Sequence, residues 1–302
     1  MLTLARWQVL CATVILGITV FAASAAMAAD ELVVTAQDSG RLCVSKAPLE
    51  GGKAPLVLEL NAHALQWAVV KQDKAEMAER TPVDGGFTYR GALPIAGEKG
   101  GRLNFEEQVV LAGETLKASY MIQPEAALSV CGLQISASLD ADLYKGATIT
   151  VTQVEAPAEP AAAAGEPAAG DAAAAAEEPA AEDAAASAEE RPAAEDAAAP
   201  AEVAKLVTVT LPEEVQQEKV VLFAGLVRKI EVVTADGLPF TITVPKPTFF
   251  VIQDVRKWDS ATFEIRLALE MKDEGVELPA DKAYKAALAL KFGAPLAFAA
   301  AE

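Results

Sequence analysis

Two threonine-rich runs, ATITVTQV at 147–154 and AKLVTVTL at 204–211, carry the clearest strand pattern of the sequence. In each run Thr alternates with Ile, Val or Leu, the period of two that is typical of a strand with one buried face. Two such ladders of matching length pair well across an antiparallel sheet. The runs therefore predict two strands of one hairpin, separated by residues 155–203.

The segment between the two runs, residues 155–203, is of low complexity: EAPAEPAAAAGEPAAGDAAAAAEEPAAEDAAASAEERPAAEDAAAPAEV. Recurring Pro interrupts each Ala-rich run before it is long enough to hold as an isolated helix, and the acidic residues repel one another. We therefore expect a disordered Ala/Pro/Glu insertion. Because loop-closure entropy grows only slowly with length, we favour one domain split into 30–154 and 204–302. The alternative is two domains joined by a linker.

The N-terminus predicts export. Arg6 precedes an apolar core at 9–23, and Ala26-Met27-Ala28 fits the small-residue cleavage rule, so residues 1–29 are expected to be a signal peptide. An uncleaved membrane anchor is the alternative, because the apolar run approaches spanning length. We expect cleavage, a periplasmic or secreted protein, and no membrane insertion afterwards.

The charge of the chain argues against nucleic-acid binding. The formal net charge is −18, and residues 155–203 carry −12 of it, from 13 acidic side chains and one Arg, which leaves −6 for the rest. No basic stripe is present to neutralise phosphates.

The remaining sequence predicts an all-β fold, an antiparallel two-layer β-sandwich. In LQISASLD at 133–140, for example, apolar residues alternate with Gln, Ser and Asp, as expected for half-buried strands. KQDKAEMAER at 71–80 is interpreted as a short helical turn or loop. YKAALALKF at 284–292 reads as a strand, although its Ala content also suits a terminal helix.

Two cysteines remain after the predicted cleavage, Cys43 and Cys131. An oxidising compartment favours a disulfide between them. However, Cys131 shares the apolar face of its run, whereas Cys43 lies opposite its apolar neighbours. A disulfide and two separately buried thiols both remain open.

Candidate catalytic residues are few. His63 is the only histidine and lies in no catalytic signature, so we expect a structural role for it. No metal-ligand spacing or glycine-rich phosphate cradle is present, and we expect no cofactor. A glycosidase needs only two carboxylates, although solvated strand-edge acids are the simpler interpretation. The carboxylate candidates are Glu106, Glu107, Asp140, Asp142, Asp254 and Asp259.

Sugar binding needs an aromatic face with amide, carboxylate or Arg groups beside it. Trp258 lies in QDVRKWDS at 253–260, a predicted loop, together with Asp254 and Arg256. These three residues are the predicted ligand-binding site, although a loop Trp also commonly caps the edge of a sandwich. Trp67 is expected in the core, and Tyr89 suits either role.

Four segments carry a resemblance to a known family: RLNFEEQVVLAGETLKASYMIQPEAALSVCGLQISASLD (102–140), LPEEV (211–215), QDVRKW (253–258) and FEIRL (263–267). In pattern and order they resemble the β-supersandwich domains of galactose mutarotase-like modules. Such modules occur in secreted bacterial carbohydrate-active proteins. The resemblance implies one large two-layer antiparallel fold, a connection with polysaccharide processing, and an insertion in a strand-to-strand loop. Mutarotase-type catalysis in that fold uses more than one histidine and an acid. Because His63 stands alone here, the resemblance does not imply epimerase activity, and no catalytic residue is carried over.

The sequence thus predicts an exported, non-catalytic β-sandwich module associated with carbohydrate, whose partner is a polysaccharide or glycan. The competing hypothesis is a structural protein that interacts with other envelope proteins. A carboxylate-based glycosidase is a third.

Overall fold

The computed structural model describes residues 31–49, 54–97, 101–155 and 204–299. The predicted signal peptide and, apart from Glu155, the predicted insertion lie outside these ranges. In the described part, no helix is long and apolar enough to cross a membrane.

Strands make up most of the described chain. Those before the gap at 156–203 are β1 (Leu32–Ala36), β2 (Leu42–Ser45), β3 (Leu56–Ala64), β4 (Val69–Lys71), β5 (Glu76–Val83), β6 (Gly86–Ile95), β7 (Gly101–Ala112), β8 (Thr115–Pro124), β9 (Leu128–Asp140) and β10 (Thr148–Val154). Those after it are β11 (Ala204–Thr210), β12 (Val221–Val233), β13 (Phe240–Asp254), β14 (Thr262–Leu278), β15 (Tyr284–Phe292) and β16 (Leu296–Phe298). Helical segments are short: α1 (Ala141–Tyr144) and 3₁₀ turns at Leu65–Trp67, Gln72–Lys74 and Arg256–Trp258.

The strands form one curled sheet in the order β16-β1-β2-β3-β9-β14-β13-β15-β8-β7-β6-β5, with β4 on β3 and the β11-β10-β12 ribbon on β13. Only the β1–β16 pair is parallel among the described strands. Strands from before and after the gap are direct neighbours, as in β9–β14 and β8–β15. The curl makes an all-β, two-layer sandwich, and one apolar core joins residues of both halves of the sequence.

The predicted hairpin that flanks the gap is confirmed. Strands β10 and β11 pair antiparallel over their whole length, from Thr148 opposite Thr210 to Val154 opposite Ala204. Ile149 and Val151 are fully buried, whereas the Thr residues between them are only partly buried. Cross-strand Thr and Val pairs of this kind stabilise a sheet because they fit its pleated surface.

Strand β3 shows how the sandwich divides its residues between two faces. Leu58, Leu60 and Ala62 lie in the core, and the alternate residues Glu59 and Asn61 face away from it. This alternation follows from the period of two in a strand. The residues that face away are buried as well, and they are described below.

Two local predictions can be compared with these elements. Residues 284–292 form strand β15, so a terminal helix is wrong there. Within 71–80, the 3₁₀ turn Gln72–Lys74 matches the predicted helical turn, but strand β5 begins at Glu76.

The two cysteines are free and buried, so the disulfide alternative is wrong and that of two separate thiols holds. The register explains why. Cys43 on β2 lies opposite Val57, which lies opposite Ser138 on β9. Cys131 stands seven positions further along β9, a separation of about 20 Å at ~3.3 Å per residue. A disulfide needs Cα atoms about 6 Å apart.

Candidate functional site

The predicted ligand-binding residues lie at the end of β13, in a segment that we call the Trp258 turn (Asp254, Arg256 and Trp258). Arg256 Nε donates to Asp254 Oδ1 at 2.9 Å, and Nη2 donates to Oδ2 at 2.8 Å. Both side chains are largely buried, with 11% of Arg256 and 1% of Asp254 exposed. The two groups therefore form a paired fork, the strongest geometry for an Arg–carboxylate contact.

Arg256 is committed to further contacts within the chain. Its Nη1 donates to the Glu213 carbonyl at 3.0 Å, and its Nη2 donates to the Pro212 carbonyl at 2.8 Å. Its guanidinium carbon lies 4.4 Å from the centre of the Phe263 ring. Arg256 thus ties the segment after β11 to the end of β13, which is a structural role.

Trp258 itself is 55% exposed, with Lys257 Nζ at 5.9 Å from its ring. The structure therefore offers an aromatic face at this turn. The polar groups predicted to accompany that face are already hydrogen-bonded inside the protein.

Among the other candidate carboxylates, Asp142 and Asp259 are exposed. Asp140 caps helix α1 by accepting from the Asp142 backbone N–H at 2.9 Å. Glu106 pairs with Arg90 on the outside of β7 at 2.7 Å, and its neighbour Glu107 points into the core.

Glu107 belongs to a buried hydrogen-bonded cluster in the core. Tyr120 Oη donates to its Oε1 at 2.7 Å, and Gln72 Nε2 donates to its Oε2 at 2.5 Å. Gln72 Oε1 in turn accepts from the Leu60 backbone N–H at 2.6 Å. Burial raises the pKa of Glu107 to about 8, in opposition to these two hydrogen bonds. The cluster joins the layers and offers no group to solvent.

A second group of polar side chains was missed by the sequence analysis. It lies on the side of β3, β9 and β14 that faces away from the core, and we call it the polar face. Its members are buried: Glu59, Asn61 and His63 on β3, Gln134, Ser136 and Ser138 on β9, and Glu264 and Arg266 on β14.

Register brings these residues into rows across the sheet. Glu59 lies opposite Ser136, which lies opposite Arg266. Asn61 lies opposite Gln134 in the next row. The three strands are far apart in sequence, so this juxtaposition arises only from the fold.

Two cations from neighbouring segments flank the acid at the centre of the polar face. Arg41 Nε lies 3.2 Å from Glu59 Oε2, and Lys71 Nζ lies 3.4 Å from Glu59 Oε1. Burial raises the pKa of Glu59, against the charges of Lys71 and Arg41. Burial, with the charges of Arg266 and Lys71, lowers the pKa of His63 to about 4, so the imidazole is neutral at neutral pH.

Several buried polar atoms of this face have no hydrogen-bond partner. Among the described residues, eight buried side-chain N or O atoms lack one, and all except the Tyr89 hydroxyl lie on the polar face or on Arg41 beside it. They are Arg41 Nε, both Glu59 carboxylate oxygens, Asn61 Oδ1, His63 Nδ1, Gln134 Oε1 and Ser138 Oγ. Arg41 and Glu59 contact each other in an ion pair, so the atoms that lack both a hydrogen bond and an ion pair are Asn61 Oδ1, His63 Nδ1, Gln134 Oε1 and Ser138 Oγ. Because buried polar groups are nearly always hydrogen-bonded, these four atoms indicate a place where water or another molecule supplies the partners.

Trp67 borders the polar face. Its ring meets the His63 ring edge-on at 5.2 Å, and it is 36% exposed, so the prediction of a core Trp67 is wrong. Gln66 and Trp67 both have positive φ, at 66° and 62°. Such conformations are strained for residues other than Gly and are frequent at functional sites.

Gly132 makes room for this arrangement. A Cβ at Gly132 would stand 3.3 Å from His63 Nδ1 and 3.6 Å from the Trp67 ring. A Gly inside a strand often marks the close approach of another group. Together with the alternating Glu, Asn and His of LELNAHA, it is the sequence signal that could have found the site.

Among the described residues, no group of three or more His, Cys, Asp or Glu side chains could hold a metal ion. The polar face combines amides, a neutral imidazole and paired charges with one aromatic ring. It is therefore suited to hydrogen bonding with a neutral, hydroxyl-rich molecule.

Comparison with known proteins gives matches among solved structures only, at low identity. No protein-family model matches the sequence, and no curated protein matches it. Among solved structures, the chain is similar to a galactose mutarotase related enzyme from Lactobacillus acidophilus, at 10% identity and a TM-score of 0.44, over 88% of this chain and 98% of that one. It is also similar to a galactose mutarotase-like protein from Lactobacillus casei ATCC 334, at 8% identity and a TM-score of 0.40, over 78% of this chain and 84% of that one. These likenesses are consistent with the resemblance expected from the sequence, and they say nothing of ligand or reaction.

Proposed function

We propose that this protein is an exported, non-catalytic carbohydrate-binding module that holds a glycan against the polar face. The observation that carries the proposal is the concentration of unpartnered, buried polar atoms on that face beside an exposed tryptophan. Export is inferred from the N-terminal sequence. The non-catalytic role is inferred from the absence of a catalytic signature around the single histidine.

The unpartnered atoms indicate the chemistry of the ligand. The oxygens of Asn61 and Gln134 are acceptors, and Ser138 Oγ is both donor and acceptor. A ligand that fits them must supply donors, and sugar hydroxyls do so in closely spaced rows. Cations are a poorer fit, because Arg41 and Lys71 already neutralise Glu59.

Trp67 supplies the second element of a sugar site. Trp67 is 36% exposed, and an exposed aromatic ring can pack against the C–H face of a pyranose. Trp258 has the exposure but not the free polar neighbours, so we propose it only as an accessory contact.

The test is a glycan and polysaccharide binding screen on residues 30–302, with variants compared on every glycan that binds. Asn61→Ala and Trp67→Ala are expected to abolish or strongly weaken binding. Gln216→Ala, an exposed amide in the segment after β11, is the matched control and should bind as the wild type does.

Trp258→Ala separates the two candidate sites. If Trp258→Ala loses glycan binding while Asn61→Ala binds normally, the glycan binds at the Trp258 turn and not at the polar face. A folded wild type that binds no glycan would contradict the proposal and favour a protein-interaction role in the envelope.

A further inference from the structure

A second groove crosses the opposite layer of the sandwich, on the outer side of β6, β7, β8 and β15. The register aligns one residue from each strand in a single row: Arg90 opposite Glu106, Glu106 opposite Met121, and Met121 opposite Lys285. Three strand spacings of ~4.8 Å make this row about 14 Å long. We call it the cross-strand groove, and its length suits a short chain rather than a single ring.

Two adjoining cavities form the groove. One has a volume of about 490 Å³ and the other about 350 Å³, and both are lined by Glu106 and Met121. Met121 is 44% exposed and forms part of an apolar floor. The amides of Asn104 and Gln108 stand along the walls.

The two ends of the groove differ in charge. At the first end Arg90 pairs with Glu79 at 3.1 Å and with Glu106 at 2.7 Å. Arg102 likewise pairs with Glu76 at 2.7 Å and with Glu125 at 3.6 Å. These cations are neutralised within the protein.

At the other end, Lys246 from β13 and Lys285 from β15 line the same 350 Å³ cavity. Within the described chain, neither lysine lies in an ion pair. The protein as a whole is acidic, with a net charge of −18, so two unpaired lysines in one cavity form a local anion-binding position. Ser119 and Gln108 beside them can hydrogen-bond an anionic group.

We infer that the cross-strand groove is a second glycan site, which takes a carbohydrate chain bearing a carboxylate, with that carboxylate between Lys246 and Lys285. Amides and a floor of methionine and alanine bind the hydroxyls and C–H faces of the remaining sugar units. The sugar nature of the ligand rests on the proposed function, whereas its negative charge follows from the two lysines alone.

The test uses two probes that differ only in charge, a galacturonic acid oligomer and its methyl ester. Wild-type protein should bind the acid form more tightly than the ester, and rising salt should weaken only the acid form. The double variant Lys246→Gln/Lys285→Gln should weaken binding of the acid form about tenfold and leave the ester unchanged. Lys117→Gln/Lys205→Gln, two exposed lysines outside the groove, is the matched control.

Equal binding of acid and ester, or acid binding that survives the loss of both groove lysines, would overturn the inference. The Asn61→Ala variant distinguishes this site from the polar face. Lysine-dependent binding of the acid form that persists in Asn61→Ala would show that the groove binds this probe without the polar face. The same conclusion would follow if the wild type binds the acid form but no neutral glycan. If neither probe binds to folded protein, the groove is not a glycan site.

Discussion

The Trp258 turn and the polar face contain the same kinds of side chain, and they differ in how fully these side chains are hydrogen-bonded. Each has a partly exposed tryptophan at a strained turn, with positive φ at Asp259 in one and at Gln66 and Trp67 in the other. In the Trp258 turn, Asp254 and Arg256 satisfy each other and nearby carbonyls. On the polar face, the amide oxygens of Asn61 and Gln134 have no hydrogen bond.

Proximity in sequence is therefore weak evidence for a binding site. Polar residues two positions apart at a strand end can fold onto one another, as Asp254 and Arg256 do. The same pairing occurs on the polar face between Glu264 and Arg266. Only the oxygens that no neighbour reaches, such as Asn61 Oδ1, are acceptors without a donor.

The largest expected effect concerns a paired, buried carboxyl, Glu107. Its pKa is about 8 in the folded protein, against an ordinary value of 4.5. Below pH 4.5 both states are protonated. Between pH 4.5 and 8 only the unfolded state ionises, so the free energy of unfolding falls by about 1.4 kcal/mol per pH unit, or about 5 kcal/mol in total. Glu107→Gln should remove this loss, as measured by urea unfolding across that range.

Glu106→Gln, on the solvent side of the same strand, serves as the control and should keep the wild-type pH profile. If the free energy of unfolding depends on pH in the same way in Glu107→Gln and in the wild type, Glu107 does not titrate in this range.

The second effect tests whether the Trp258 turn is structural. Asp254→Ala leaves Arg256 buried without its carboxylate, so the free energy of unfolding should fall by about 3 to 5 kcal/mol. Asp281→Ala, an exposed acid, should change it by less than about 0.5 kcal/mol. Thermal and urea unfolding measure both. If Asp254→Ala is as stable as the wild type but loses glycan binding, the ligand binds at the Trp258 turn.

The third effect compares two buried amides. Gln72 makes three hydrogen bonds, so Gln72→Leu should lower the free energy of unfolding by about 2 kcal/mol or more. Asn61 Oδ1 has no partner, so Asn61→Leu should leave stability within about 1 kcal/mol of wild type or raise it, while glycan binding is lost. If the two substitutions lower the free energy of unfolding equally, Asn61 Oδ1 accepts a hydrogen bond in solution and is not free to bind a ligand.

The smallest effect on stability is expected at the two tryptophans. Both are partly exposed, so Trp67→Ala and Trp258→Ala should each change the free energy of unfolding by about 1 kcal/mol or less. Their effects on glycan affinity should differ, with a large loss only for Trp67→Ala. Calorimetric titration of each variant with one bound glycan measures these losses of affinity. Equal losses in the two variants would mean that both tryptophans contact the glycan.

The faces of individual strands were predictable from sequence. In β9 the alternation of Leu133 and Ile135 with Gln134 and Ser136 was predicted, and the first pair lies in the core while the second faces away. The prediction failed where the chain leaves a strand. Trp67, expected in the core, lies in a turn with positive φ that no periodic pattern reveals.

The binding face was not predictable, because its members come from three strands that the sequence separates widely. Gln134 and Ser136 were recognised as polar, yet nothing in LQISASLD shows that LELNAHA lies beside it. His63 was expected to be structural, and its unpartnered Nδ1 on the polar face appears only in the folded chain.

Local sequence patterns were enough to predict the all-β class, the alternation of buried and polar faces, and the hairpin whose strands flank residues 155–203, because these features depend on a period of two within each strand. It also supports the predictions of export and of a disordered insertion, which rest on composition. Tertiary packing was needed to make β3, β9 and β14 neighbours, to keep Cys43 and Cys131 apart, and to pair Asp254 with Arg256. It also leaves Asn61 Oδ1 without a hydrogen bond in the described part of the chain. The physical reason is that register between distant strands and the pairing of buried polar groups are properties of the whole packed sheet.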